Sequence, residues 1–129
     1  MRAIDTNIVV RALTGDDVEQ SPRARQLIRD ERVFVSVTVF LETEWVLRSL
    51  YRFRRPVVHE VLKAFLALPN VTAEDATRVA QALDWTDQGM DFADALHLAR
   101  CSGCTDFVTF DQALLETAKG RAPISVRQP

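Results

Sequence analysis

Arg2-Ala3-Ile4-Asp5-Thr6-Asn7 is the stretch of this 129-residue chain from which the fold can be worked out. A short apolar run stops at Asp5, and residues 7–13 then have a helical pattern that ends near Gly15. The pattern predicts a strand that runs directly into a helix. Asp5 therefore lies at the carboxyl end of a predicted strand, which is where chemistry gathers in parallel α/β folds.

The same alternation of strand and helix continues to the end of the chain. β-Branched and aromatic runs predict further strands at residues 33–37, 70–72, 106–110 and 124–126. Two predicted helices have a cap residue, Ser21 followed by Pro22 in one and Thr38 in the other. The remaining predicted helices start at Pro56, Glu74, Asp91 and Gln112. This alternation predicts one α/β domain over residues 1–129, with a mostly parallel sheet covered on both faces.

Composition and charge exclude several classes of protein. Hydrophobic residues make up 47% and charged residues 26%, which is typical of a globular chain. No apolar run approaches the roughly 18–20 residues of a membrane helix, and the start lacks a signal-peptide pattern, so we expect a cytoplasmic protein. A net charge of −2 gives no global basic field. Cys101 and Cys104 form a single CxxC, which is too little for a disulfide framework or a zinc site and leaves a redox role open.

Four acids occupy positions that this fold would bring to the strand ends. Asp5 and Asp111 each follow a predicted strand, Glu42 lies about one turn into a helix, and Asp94 lies in the first turn of another. Converging carboxylates cannot all stay ionised without compensation, and Mg²⁺ or Mn²⁺ suits oxygen ligands best. His97 has no partner at zinc-site spacing; it either borders the site, three residues after Asp94, or is a partly buried helical histidine.

Each acid also has a purely structural interpretation. Asp5 and Asp111 suit helix caps or turns, and Asp91 suits a cap that makes Asp94 a first-turn acid. Glu42 suits a solvated helix position. Its neighbours are largely apolar, however, so an unpaired carboxylate there would be costly to desolvate, and a cation would offset that cost.

Together these stretches resemble the PIN-domain nucleases, specifically the VapC-type toxins of bacterial toxin–antitoxin pairs. They occur in the family's order over nearly the whole chain. The matching stretches are Ala3-Ile4-Asp5-Thr6-Asn7, Val35-Ser36-Val37 through Leu41-Glu42, Asp91-Phe92-Ala93-Asp94-Ala95-Leu96 and Val108-Thr109-Phe110-Asp111.

The resemblance implies a three-layer α/β/α fold with a central, mostly parallel sheet. It also implies an endoribonuclease with a Mg²⁺ or Mn²⁺ site formed by Asp5, Glu42, Asp94 and Asp111, a homodimer, and a cognate VapB-like antitoxin. The positions matching polar residues that line such a site are Thr6, Asn7 and Thr109. Turn and cap hydrogen bonds are the alternative role for these three side chains.

The expected reaction is hydrolysis of RNA by a metal-activated water, which needs no histidine base and leaves 5′-phosphate ends. Arg48, Arg52, Arg54 and Arg55 are candidates for RNA phosphate contacts, and Arg48 and Arg52 are expected to share a helix face. A solvated helix end is the alternative interpretation of this cluster.

Two other functions compete with this one. A haloacid-dehalogenase-like phosphatase needs Asp-x-Asp after the first strand, but position 7 is Asn, and the acids and lysine of a receiver domain are missing. A catalytically inactive PIN-like module that binds RNA or antitoxin is the second alternative. The four intact acids argue against it, and metal-dependent RNA cleavage would decide the question.

Bulky apolar residues exceed what one buried helix stripe requires between residues 39 and 68. The surplus residues are Trp45, Leu50, Tyr51 and Phe53. Core packing plus a homodimer contact is one explanation. The other is a groove for an amphipathic antitoxin segment, whose basic side chain would pair with the carboxylates.

Overall fold

Strands and helices alternate as predicted, and every strand pair is parallel. The computed structural model describes residues 1–129, which divide into two compact units, Met1–Ala76 and Thr77–Pro129. In chain order the elements are β1 Arg2–Ala3, α1 Thr6–Thr14, α2 Gln20–Asp30, β2 Val33–Val35, α3 Val37–Ser49, α4 Arg55–Leu66, β3 Val71–Ala73, α5 Ala76–Asp87, α6 Phe92–Ala99, β4 Asp106–Val108, α7 Gln112–Ala118 and β5 Ser125–Arg127. The predicted α/β class is therefore confirmed.

A three-stranded parallel sheet in the order β1-β2-β3 organises the first unit. Ala3 lies opposite Phe34, and Phe34 lies opposite Thr72. Parallel neighbours require crossover connections, which α1 with α2 and α3 with α4 provide. All three strands therefore end at the same edge of the sheet.

Helix α1 begins and ends where the sequence predicts. Asp5 caps its start, and Gly15 adopts a left-handed conformation at φ 65° just after its end. The Gly15 N–H donates to the Arg11 carbonyl. Glycine accepts this backbone conformation without the steric cost that a Cβ atom would add.

Two predicted helix caps are wrong by a few residues. Helix α2 begins at Gln20, because the Asp17 carboxylate accepts the first backbone N–H groups and Ser21 is buried inside the first turn. Helix α3 is capped by Ser36, which lies just past the end of β2, and Thr38 falls within its first turn. In both cases an earlier oxygen reaches the helix start first, so the helix begins sooner than predicted.

Apolar side chains fill the interior of each unit. The rings of Phe40 on α3 and Phe65 on α4 have centroids 6.0 Å apart and are tilted by 51°. Other buried side chains of the first unit are Val9, Val10, Ile28, Val33, Val35, Leu47, Val58 and Leu62. In the second unit they are Val79, Leu83, Trp85, Met90, Phe92, Leu96, Leu98 and Leu114.

In the second unit β4 and β5 pair in parallel, with Phe107 opposite Val126. Helix α6 starts at the residue after Asp91, and α7 starts at the residue after Asp111, as predicted. No helix in the chain has both the length and the apolar character required to cross a lipid bilayer.

A polar network ties the turn after α3 to the end of α1. The Tyr51 hydroxyl donates to the Asp16 carboxylate at 2.5 Å and accepts from the Arg11 guanidinium at 3.1 Å. Arg11 also contacts Asp16 at 3.0 Å. Hydrogen bonds from Tyr51, and then from Thr14 and Arg11, lower the pKa of Asp16 to about 2.

The lowered pKa of Asp16 predicts a stability that depends on pH. In the unfolded chain an aspartate titrates near pH ~3.9, so Asp16 stabilises the folded state above that value and loses the effect as pH falls toward 2. We expect urea denaturation to show Asp16→Asn less stable than wild type at pH 7, with a difference that shrinks below pH ~4. Tyr51→Phe should weaken the same pH dependence. A difference of constant size across this range would contradict the network's role.

Candidate functional site

Asp5 ends the first strand and starts the first helix. Its Oδ1 accepts the backbone N–H of Ile8 at 3.1 Å, and the side chain is exposed. The predicted cap role is therefore real. A cap occupies one oxygen of a carboxylate that has several lone pairs, so Asp5 retains capacity for a cation.

The sheet register brings two further polar residues to the edge where Asp5 lies. The Ile4 N–H donates to the Phe34 carbonyl, and the Glu74 N–H donates to the Val35 carbonyl at 2.9 Å, so Ser36 and Glu74 each follow a neighbouring strand. Neither was predicted as a site residue. The sequence predicts that β3 ends at residue 72, but the strand continues to Ala73. With that one extra residue, Glu74 directly follows the strand and lies at this edge of the sheet.

Glu42 lies on the exposed face of α3 together with Thr38 and Trp45. The prediction that its surroundings would desolvate it is wrong. The buried acid of α3 is Glu44, which is 3% exposed and contacts the Arg48 guanidinium at 3.1 Å. Glu42 is instead a solvated carboxylate, and its role as a metal ligand stays a prediction.

The second unit gathers negative charge around Asp94. The Asp91 carboxylate caps α6 by accepting the Asp94 N–H at 3.2 Å, and Asp111 caps α7 by accepting the Leu114 N–H at 3.0 Å. Burial raises the pKa of Asp94, and the charges of Asp91 and Asp111 raise it further, while His97 opposes them. The structure therefore brings Asp94 and Asp111 within electrostatic range of each other.

The supporting polar residues have different environments. Thr109 Oγ1 accepts the backbone N–H of Asp111 at 3.0 Å, so it fixes the turn that presents this acid. Thr6 is buried in the first turn of α1, and Asn7 beside it is exposed. His97 is exposed near Asp94, so the alternative of a partly buried histidine is wrong.

No three His, Cys, Asp or Glu side chains adopt the arrangement of a preformed metal centre. Asp5 and Glu42 belong to the first unit, and Asp94 and Asp111 to the second. The donor chemistry nevertheless suits a hard divalent cation, because every candidate ligand is a carboxylate and the charges of Asp91 and Asp111 already raise the pKa of Asp94.

The arginine cluster is less uniform than the sequence predicts. Arg48 forms an ion pair with the buried Glu44, so the charge of Arg48 has a partner within the fold. Helix α3 ends at Ser49, so the prediction that Arg48 and Arg52 share a helix face is wrong. Arg52 has a left-handed backbone at φ 59°, and it is exposed, as is Arg54.

Comparison with known proteins identifies the family. The family model of the PIN domain matches residues 3–120. The chain belongs to the PIN domain family. This confirms the fold predicted from the resemblance. A search of curated proteins found no significant match.

Among solved structures, the crystal structure of Mycobacterium tuberculosis VapC20, described as a toxin that cleaves the sarcin–ricin loop, is 21% identical to this PIN-domain chain. The match covers 97% of this chain and 99% of the other, with a TM-score of 0.46.

The raised pKa of Asp94 predicts that its charge opposes folding. Desolvation by burial and repulsion from Asp91 and Asp111 raise the pKa, and the attraction of His97 does not cancel them. The folded state is therefore penalised once pH rises above the pKa of an unfolded aspartate. In EDTA at pH 7 we expect Asp94→Asn to have a higher Tm than wild type, and the difference should vanish at acidic pH.

Glu116→Gln is the control for this measurement, because Glu116 is an exposed acid of the same unit whose contact with Lys119 is also exposed. Its Tm should match that of wild type. A lower Tm for Asp94→Asn at pH 7 would show that the carboxylate stabilises the fold, and the repulsion argument would then be wrong.

Proposed function

We propose that this PIN-domain protein is an endoribonuclease that hydrolyses RNA phosphodiester bonds with Mg²⁺ or Mn²⁺. The observation that carries the proposal is the environment of Asp94. A half-buried carboxylate is held near the charges of Asp91 and Asp111 at a cost to folding. Charge accumulation of this kind is typical of functional sites, where a ligand compensates it.

The four predicted acids have distinct positions from which to hold the cation. Asp5 and Asp111 are fixed by their helix caps, Asp94 by its place in the first turn of α6, and Glu42 is presented from α3. When bound, a divalent cation neutralises phosphate charge and lowers the pKa of water. Thr109 supports this role by holding the backbone of Asp111.

Substitutions at Asp5 separate the cap from the charge. Asparagine caps a helix about as well as aspartate, whereas alanine loses roughly 1 kcal/mol. We expect Asp5→Asn to fold with a near-wild-type Tm and to lose at least about 100-fold in RNA cleavage rate. The reason is that removing any one ligand from a shared metal site loses most of the rate. Asp5→Ala should lose both stability and cleavage.

The same digests test the cation and the chemistry. EDTA should stop cleavage by the wild type, and added Mg²⁺ or Mn²⁺ should restore it. Attack by water leaves 5′-phosphate ends, whereas attack by the RNA 2′-hydroxyl leaves a cyclic phosphate. Full activity of Asp5→Asn, activity in EDTA, or cyclic phosphate ends would each contradict the proposal.

We further propose that the chain acts as one nuclease domain over residues 1–129, in the cytoplasm, as the toxin of a toxin–antitoxin pair and as a homodimer. Trp45 is 50% exposed and lies three residues from Glu42 on the same face of α3. An amphipathic antitoxin segment would place an apolar side chain on Trp45 and a basic one on Glu42. Trp45→Ala should weaken antitoxin binding at any salt concentration, and unchanged affinity would place the groove elsewhere.

A further inference from the structure

The turn between α3 and α4 alternates aromatic and basic side chains. Its sequence is Leu50-Tyr51-Arg52-Phe53-Arg54, and Arg55 follows as the first residue of α4. No acidic residue occurs between Trp45 and His59. The charged side chains of the turn itself are therefore all basic, although the chain as a whole has a net charge of −2 and the Asp16 carboxylate contacts Tyr51.

The two aromatic rings of the turn form a fixed surface. The rings of Tyr51 and Phe53 are stacked, with centroids 5.9 Å apart and planes inclined by 20°. Tyr51 is held in place by its hydroxyl contacts to Asp16 and Arg11. Phe53, which lies on this anchored ring, is 42% exposed. An exposed ring that packs against an anchored neighbour loses less conformational freedom when a ligand stacks on it.

The backbone holds the turn in an uncommon conformation. Arg52 has φ 59°, a left-handed value that costs a non-glycine residue free energy. The backbone N–H groups on either side are bonded to α3, from Tyr51 to the Val46 carbonyl at 3.1 Å and from Phe53 to the Leu47 carbonyl at 3.0 Å. These bonds fix the reversal that brings the two rings together and leaves Arg52 exposed.

We propose that this turn binds single-stranded RNA by stacking an unpaired base on Phe53 while Arg52 and Arg54 contact the flanking phosphates. The proposal rests on the nuclease function above and assigns to this turn, which contains none of the four predicted acids, a base-stacking position. Stacking on an aromatic side chain combined with basic contacts to the backbone is how proteins hold single strands. Bases inside a duplex are already stacked and are unavailable to Phe53.

A second copy of the chain is a less suitable occupant of this turn. A twofold contact centred here would place the positive residues of one copy against the same residues of the other, and like charges facing each other oppose association. RNA brings the opposite charge, and charge complementarity therefore favours RNA.

The test measures RNA binding without cleavage. A fluorescent single-stranded RNA of about 12 nucleotides, within the site sizes of single-strand binders, is titrated with protein in EDTA and followed by anisotropy. We expect Phe53→Leu to weaken binding about tenfold, since leucine keeps apolar volume but cannot stack, and Phe53→Trp to preserve affinity. Val57→Ala is the matched control, because Val57 is an exposed apolar residue on α4, outside the turn. Its affinity should stay within about twofold of wild type, as it has no ring on which a base stacks.

Salt dependence tests the arginines. Each lost phosphate contact should reduce the slope of log affinity against log salt by about 0.7 for a single strand. Arg52→Gln and Arg54→Gln should each show this change, and duplex RNA of the same sequence should bind Phe53→Leu and wild type alike.

The outcomes separate this proposal from the nuclease function. If the wild type cleaves RNA and Phe53→Leu binds RNA as tightly as the wild type, the stacking site is overturned and the nuclease function is supported. If Phe53→Leu binds RNA more weakly than the wild type but neither protein cleaves RNA, the stacking site is supported and the nuclease function is overturned. A changed oligomeric state of Phe53→Leu in sedimentation, with RNA affinity intact, would show that the turn is a protein interface and would also overturn the proposal.

Discussion

Parallel pairing of very short strands constrains the positions of the acids in this protein. Strands of two or three residues cannot connect to parallel neighbours without helices, so each strand end leads almost at once into a helix start. Helix starts need an oxygen that accepts free backbone N–H groups. Asp5, Ser36 and Asp111 meet this need just beyond their strands. The residues that begin the helices are therefore the same residues that line the carboxyl ends of the strands.

This double use explains why a structural and a functional interpretation of the same acid do not compete. A cap engages one carboxylate oxygen and fixes the orientation of the side chain, which is what a metal ligand requires. Asp94 differs, because its side chain does not cap a helix. Burial and two neighbouring acids make its ionised form less favourable. A bound cation would relieve this repulsion, which is why Asp94 is proposed as a metal ligand.

The sequence predicts features that depend on local chemistry better than those that depend on packing. Helix α7 starts where predicted, because Asp111 and the residues after it determine a helix start without reference to the rest of the chain. Glu42 and Glu44 could not be distinguished in the same way. Apolar residues surround both, and which face of α3 is buried depends on α1 and α4 packing against it. The exposed Glu42 and the buried Glu44 bound to Arg48 are consequences of that packing.

The most direct test of the central proposal, that Asp94 binds a divalent cation, is paramagnetic broadening by Mn²⁺ in an assigned amide NMR spectrum. Substoichiometric Mn²⁺ should broaden the amides of Asp94 and Asp111 together, because the two carboxylates interact, while Ca²⁺, a diamagnetic control, broadens neither. Asp94→Asn should abolish the broadening at Asp111, although Asp111 is distant from the substitution in sequence. Broadening at Asp111 that persists at full strength in Asp94→Asn would contradict the proposal.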